Sequence, residues 1–288
     1  MKFFKMHGLG NDFVLFDGRD VETVDWNALA EKVLNRHTGV GADGMLVLLR
    51  SAIADARMRV IGPDGSETAP NGIDLCVFSR FCFENGVVRG TAFTVETGAG
   101  VMRARILLKG GRPDGVRVDL GKPVLDAKDI PASVDGRAID LNLTAHGRSF
   151  SCSAIRVGTP HAVVFADSRN EADVQEYGPL IACDPLFPDG ADVGFAEVIS
   201  NERIRLRTWM RGAGNTLACG TGACAAAVAG FLSGRTGRNV SVEFARGALP
   251  VEWSEADGHV YLTGPAETVF SGVWTQSLAK GAVQKVLS

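Results

Sequence analysis

Gly212-Ala213-Gly214-Asn215-Thr216-Leu217-Ala218-Cys219-Gly220-Thr221-Gly222-Ala223-Cys224 is a glycine-rich turn that runs into an alanine-rich stretch. Alanine favours helix, so Cys219 falls at a helix N-terminus. A thiol there meets the positive end of the helix dipole and the unpaired N–H groups of the first turn. Its pKa is expected to fall, giving a thiolate base or nucleophile that lines a cleft. The same N–H groups suit a substrate carboxylate. The competing reading is a small buried core residue, as free cysteine often is. The flanking glycines favour close backbone approach to a ligand.

Shifted by 148 residues, the chain aligns weakly with itself. Residues 67–76 fall on 215–224 with Thr, Gly and Cys in common, and both segments lead into apolar helical stretches at 77–83 and 225–232. The shift sets Asn71 opposite Cys219, so two helix N-termini are expected to face one anion site. Strand patterns occupy 3–16 around a turn, then 45–49, 58–61, 92–97 and 101–108. A helix at 25–34 has Asp25 as its cap. After a linker at 120–135 the pattern restarts, with strands at 150–157, 162–165, 193–199, 204–210, 240–244, 249–253 and 259–263. The expectation is an α/β (α+β) protein of two pseudo-symmetric halves. Residues 1–120 form the first half, joined by a C-terminal return at 270–288; residues 121–269 form the second, with the active-site cleft between them.

The 288 residues carry a net charge of −3, with 45% hydrophobic and 22% charged residues. No basic excess points to nucleic acid. The first thirty residues hold Asn11, Asp12, Asp17 and Asp20, which do not suit a signal peptide, and no apolar run suits a membrane span. Six cysteines stand without a C-x-x-C pair or a histidine cluster, so neither a metal site nor a disulfide framework is expected. A reducing cytoplasm is the expected compartment.

The segments Met6-His7-Gly8-Leu9-Gly10-Asn11-Asp12-Phe13, His37-Thr38-Gly39-Val40-Gly41-Ala42-Asp43-Gly44, Asp64-Gly65-Ser66-Glu67, Pro160-His161-Ala162-Val163-Val164-Phe165 and 211–223 resemble diaminopimelate epimerase over nearly the whole chain. The resemblance implies two halves, each a curled sheet around a central helix. It implies cofactor-independent chemistry at an amino-acid α-carbon, with two opposed cysteines as base and acid. Asn11, Arg211, Cys219, Gly220 and Thr221 match the family's pattern. Gly72 and Ile73 fall among its substrate-binding positions.

Elsewhere the chain departs from that pattern. The family's first cysteine falls on Asn71 without gaps, or on Ala69 in a gapped register, so no thiol stands there in either case. The family's substrate-reading glutamate is replaced by Met210, and its asparagines by Gly62, Thr159 and Asp192. Asp192 is expected to favour a cationic group over a distal carboxylate. Asp64 and Glu67 are candidate acids or bases, with helix capping as the competing reading. His161 reads as a satisfied core histidine.

These residues lead to a cofactor-free isomerase for an amino-acid-like small molecule other than diaminopimelate, with Cys219 as its acid–base group. One alternative is a one-base isomerase or lyase working through a carbanion-like state. The phenazine-biosynthesis isomerase, similar in fold, works with a carboxylate and no thiol pair. The other alternative is a non-catalytic amino-acid-binding homologue. The expected partner is the substrate alone, with neither nucleic acid nor membrane, and a homodimer is left open.

Overall fold

Two helices start where glycine lets their backbones meet, and the rest of the chain wraps around them. The computed structural model describes residues 1–21, 24–165, 171–212 and 214–275. Its helices are α1 (Trp26–Val33), α2 (Ile73–Glu84), α3 (Glu171–Ala182) and α4 (Gly220–Leu232). Asp25 caps α1 as expected, accepting from Ala28 N at 3.1 Å.

The first half contains strands Lys2–Gly8, Asn11–Asp17, Gly44–Leu49, Ala56–Ile61, Ala92–Thr97, Gly100–Lys109 and Arg112–Asp119. Successive strands pair antiparallel, parallel, antiparallel, parallel, antiparallel and antiparallel. The second half repeats this order through Arg148–Val157, Thr159–Phe165, Asp192–Ser200, Arg203–Met210, Asn239–Phe244, Gly247–Trp253 and Val260–Gly264. Asn11 and Thr159 open equivalent strands 148 positions apart, as do Gly44 and Asp192. Parallel neighbours need a crossover connection. Helices α1 and α2 fill the two crossovers of the first half, and α3 and α4 those of the second.

Arg112–Asp119 pairs with Val260–Gly264 and joins the halves into one continuous sheet. Glu267–Val273 then returns to pair with Lys2–Gly8. The return thus begins before residue 270, and its part beyond 275 lies outside the described residues. Helices α2 and α4 share one apolar core, in which Phe78 and Val228 are fully buried. Helix α4, apolar or small on every side, belongs there. Cys76 and Cys224 pack inside as expected.

Several elements were not expected from the sequence. Arg112–Asp119 opens with Arg-Pro-Asp-Gly, which reads as a turn, yet it pairs with Gly100–Lys109 through a register shift at Leu107/Leu108. Such an irregularity accommodates proline in a strand. Helix α3 contains Pro179, a helix breaker by propensity. Gly178 lets this helix settle on Trp209, whose side chain would lie 2.7 Å from a Cβ at 178.

The two central helices meet at Gly220. A Cβ there would overlap the Asn71 carbonyl oxygen and lie 3.1 Å from Ile73 N. Gly220→Ala must therefore separate two backbones. The expected loss in urea unfolding is about 2 kcal/mol, the usual scale of core overpacking. A loss below about 0.5 kcal/mol would show that the contact is not tight.

Candidate active site

Helix α2 is entered through Asn71-Gly72 and starts with Ile73-Asp74. The Asn71 side-chain oxygen accepts from Ile73 N at 2.9 Å and Asp74 N at 3.1 Å. Asp74 reaches back and accepts from Asn71 N at 2.8 Å and Gly72 N at 3.1 Å. This reciprocal pattern is a capping box. Leu75 N also donates to Asp74, at 2.6 Å. Five successive N–H groups that would otherwise cradle an anion are thus held by the chain's own side chains. Gly72 adopts φ 89°, a conformation that favours glycine.

Asp74 is fully buried, and burial pushes its pKa up from 3.8 to about 6. The three N–H donors pull the other way but do not offset burial. The Asn-x-x-Asp spacing was present in the sequence as a capping signal.

Cys219 occupies the equivalent place on α4 and serves as its N-cap. Gly222 N donates to its sulfur at 3.3 Å, and the Thr221 hydroxyl lies 3.5 Å away. The expectation of a low-pKa thiol lining an open cleft is overturned. Cys219 is 1% exposed, and burial pushes the thiol up to about 11. The bonds from Thr221 and Gly222 lower it less, while Asp192 and Asp74 raise it further. Desolvation of the thiolate outweighs the helix terminus here.

The Asn71 carbonyl lies against Gly220, so the two helix starts touch there. Asn11 joins them: its side-chain oxygen accepts from Asn71 Nδ2 at 3.3 Å, and its Nδ2 donates to Asp43 at 2.9 Å.

Thr159, His161, Asp192 and Arg211 form a second cluster. Thr159 donates to Asp192 at 3.1 Å and lies 3.3 Å from His161 Nε2. Burial pushes His161 down to about 4, so the ring is neutral at physiological pH. Asp192 accepts from Arg211 N at 2.9 Å and lies 3.7 Å from Arg211 Nε. Its charge is therefore engaged, which removes the argument that it selects a cationic substrate group. Arg211 also donates to the Asp189 carbonyl. Met210 pairs with Gly214 in the short strand leading toward α4.

Asp64 and Glu67 are not brought to this site. Asp64 organises its own turn, accepting from Ser66 N at 3.0 Å and from the Ser66 hydroxyl at 2.6 Å. Glu67 pairs with Arg59 at 3.1 Å. Gly62 donates its N–H to Ser66 O in the same turn. Among the described residues no group of three or more His, Cys, Asp or Glu is placed to hold a metal.

The family model for diaminopimelate epimerase matches residues 3–125 and 153–269. The chain belongs to the diaminopimelate epimerase family. It is 45% identical to diaminopimelate epimerase of Moorella thermoacetica over 274 residues, covering 94% of this chain and 98% of that one. A hydroxyproline epimerase from Agrobacterium vitis, solved with bound trans-4-hydroxy-L-proline, superposes with a TM-score of 0.73 at 18% identity, covering 94% of this chain and 90% of that one. A phenazine biosynthesis protein from Bacillus anthracis reaches 0.69 at 16% identity, covering 94% and 98%. Those two likenesses are of fold. Membership in the diaminopimelate epimerase family gives the coarse class, that of the cofactor-independent epimerases and racemases.

Asp74 makes a pH prediction. Its folded pKa lies above its unfolded value of 3.8. The stability it contributes is therefore fully present below about pH 4 and lost as pH rises through about 6. From pH 4 to 7.5, unfolding of Asp74→Asn relative to the unaltered protein should shift in favour of the variant by about 2 kcal/mol. A difference that does not change with pH would contradict an ionisable, buried Asp74.

Proposed function

We propose that this chain is a cofactor-independent isomerase that exchanges a proton at the α-carbon of an amino-acid-like substrate from one face, with Cys219 as its acid–base group. The contrast between the two helix starts carries this reading: a thiol with Gly220 and Thr221 beside it on α4, and an amide locked in a capping box on α2. A carboxamide does not exchange protons at a useful pKa. The resting thiol holds its proton. A substrate ammonium entering beside it would favour the thiolate by charge attraction, the displaced thiol proton passing to water. The thiolate would then take the α-proton, and the resulting thiol would return it to the carbanion on the same face or at a conjugated position.

Diaminopimelate suits this site poorly. Gly62 and Met210 carry no polar side-chain group to read its two amino-acid ends, and Arg211 already faces Asp192. We place the reaction between residues 1–120 with their C-terminal return and residues 121–269. All six cysteines are unpaired, which supports work in a reducing cytoplasm.

A second reading has one observation in its favour. No thiol stands at the start of α2, where the Asn71 amide is held as a cap, as befits an amino-acid-binding homologue without catalysis.

Proton NMR in D₂O with a panel of amino acids separates the two readings. One-face catalysis predicts exchange at Cα with retained configuration, or a new isomer, and its loss in Cys219→Ala. Rapid inversion with solvent deuterium would show a second acid–base group and refute the one-face mechanism. No exchange with any panel member would favour the binding homologue.

A further inference from the structure

The internal symmetry leaves one gap unfilled. On one side of the α2–α4 junction, Leu9, Leu217 and Arg246 close the space between the halves. A Cβ at Gly10 would lie 2.8 Å from Arg246 Cδ and 3.1 Å from Leu217 Cδ1, and one at Gly247 would lie 2.7 Å from Leu9 Cδ2. The counterparts 148 positions away are Val157, Ala69 and Gly98, all smaller. On that side a cavity of about 320 Å³ remains. Its walls come from both halves and from the 119–124 segment between them, and Pro70 and Thr221 reach it from the two helix starts.

The cavity carries more positive charge than its lining neutralises. Arg103, Lys122 and Arg156 border it. Among the described residues none of the three has a carboxylate within ion-pair distance, and the buried Arg156 Nε has no hydrogen-bond partner. A buried guanidinium N–H normally has one. The carboxylate in the lining, Asp119, is already engaged: it lies 2.8 Å from His259 Nδ1 and accepts from Gly121 N at 2.9 Å. The Arg156 backbone is fixed by exchanging hydrogen bonds with Val124 at 2.9 and 3.1 Å. The guanidinium is thus presented from a strand rather than from a free loop.

We propose that this cavity, which borders the Cys219 turn at Thr221 and lies apart from Arg211, is an oxyanion-binding site that takes a phosphate or a short dicarboxylate. Planar guanidinium groups suit both anions, and a ligand between Arg103 and Arg156 would bridge the two halves. Small-molecule sites favour such concave places between structural units, with a few convergent polar groups among apolar walls.

Calorimetric titration of the full chain at fixed ionic strength, with potassium phosphate in one series and sodium succinate in another, tests this. The expected result is one saturable site per chain for at least one anion, and the tighter of the two names the source. Affinity should fall tenfold or more in Lys122→Ala and in Arg156→Gln and stay unchanged in Arg211→Gln. Lys122 is exposed, so its variant remains decisive if Arg156→Gln does not fold. The proposal is overturned if neither anion gives saturable heat at millimolar concentration. It is equally overturned if binding survives the Lys122 substitution, or if it is lost with Arg211.

Discussion

Two helix N-termini meet at the centre of this molecule, and their like-signed dipole ends must be neutralised where they touch. Gly220 permits the approach by leaving room for the Asn71 carbonyl. At α2 the neutralising group is internal, the buried carboxyl of Asp74. At α4 no charge is supplied: the uncharged sulfur of Cys219 only accepts a hydrogen bond from Gly222 N. The core shared by α2 and α4 and the strands that pass between the halves hold this arrangement in place.

The chemistry follows from that difference between the helix starts. An anion site shared by two helices requires free N–H groups on both, and here α2 supplies its own acceptors. The capping box stabilises α2, and such a cap contributes on the order of 1 kcal/mol. In the proposed reaction the amide of Asn71 offers no proton-exchanging group to one face of a bound α-carbon, and Cys219 serves the other. Burial raises its pKa to about 11, so the thiol holds its proton at rest, and in that reaction an incoming positive charge would favour the thiolate.

Much of the fold was legible because glycine, alanine and strand periodicity mark the turns and helix starts directly. The 148-residue repeat located Asn71 beside the Cys219 turn, and Asp25 announced α1. Pro179 concealed α3, whose helix depends on packing against Trp209 rather than on propensity. Pro113 concealed a strand that exists through its pairing partners. At the site, residue types were readable but burial was not. Sequence places Cys219 at a helix start, where a lowered pKa is the natural expectation; only three-dimensional packing shows that desolvation wins. In the same way, Asp192 looked like a free charge until Arg211 and Thr159 were seen around it.

The account rests on the claim that the capping box at Asn71 and Asp74 removes one face of a two-face proton exchange. The direct measurement is the rate of α-carbon inversion in D₂O for the unaltered protein and for Asn71→Cys/Asp74→Gly, which places a thiol opposite Cys219 and frees the α2 donors. The account predicts inversion with solvent deuterium in the double variant and none in the unaltered protein. Equal inversion rates in the two proteins would contradict it.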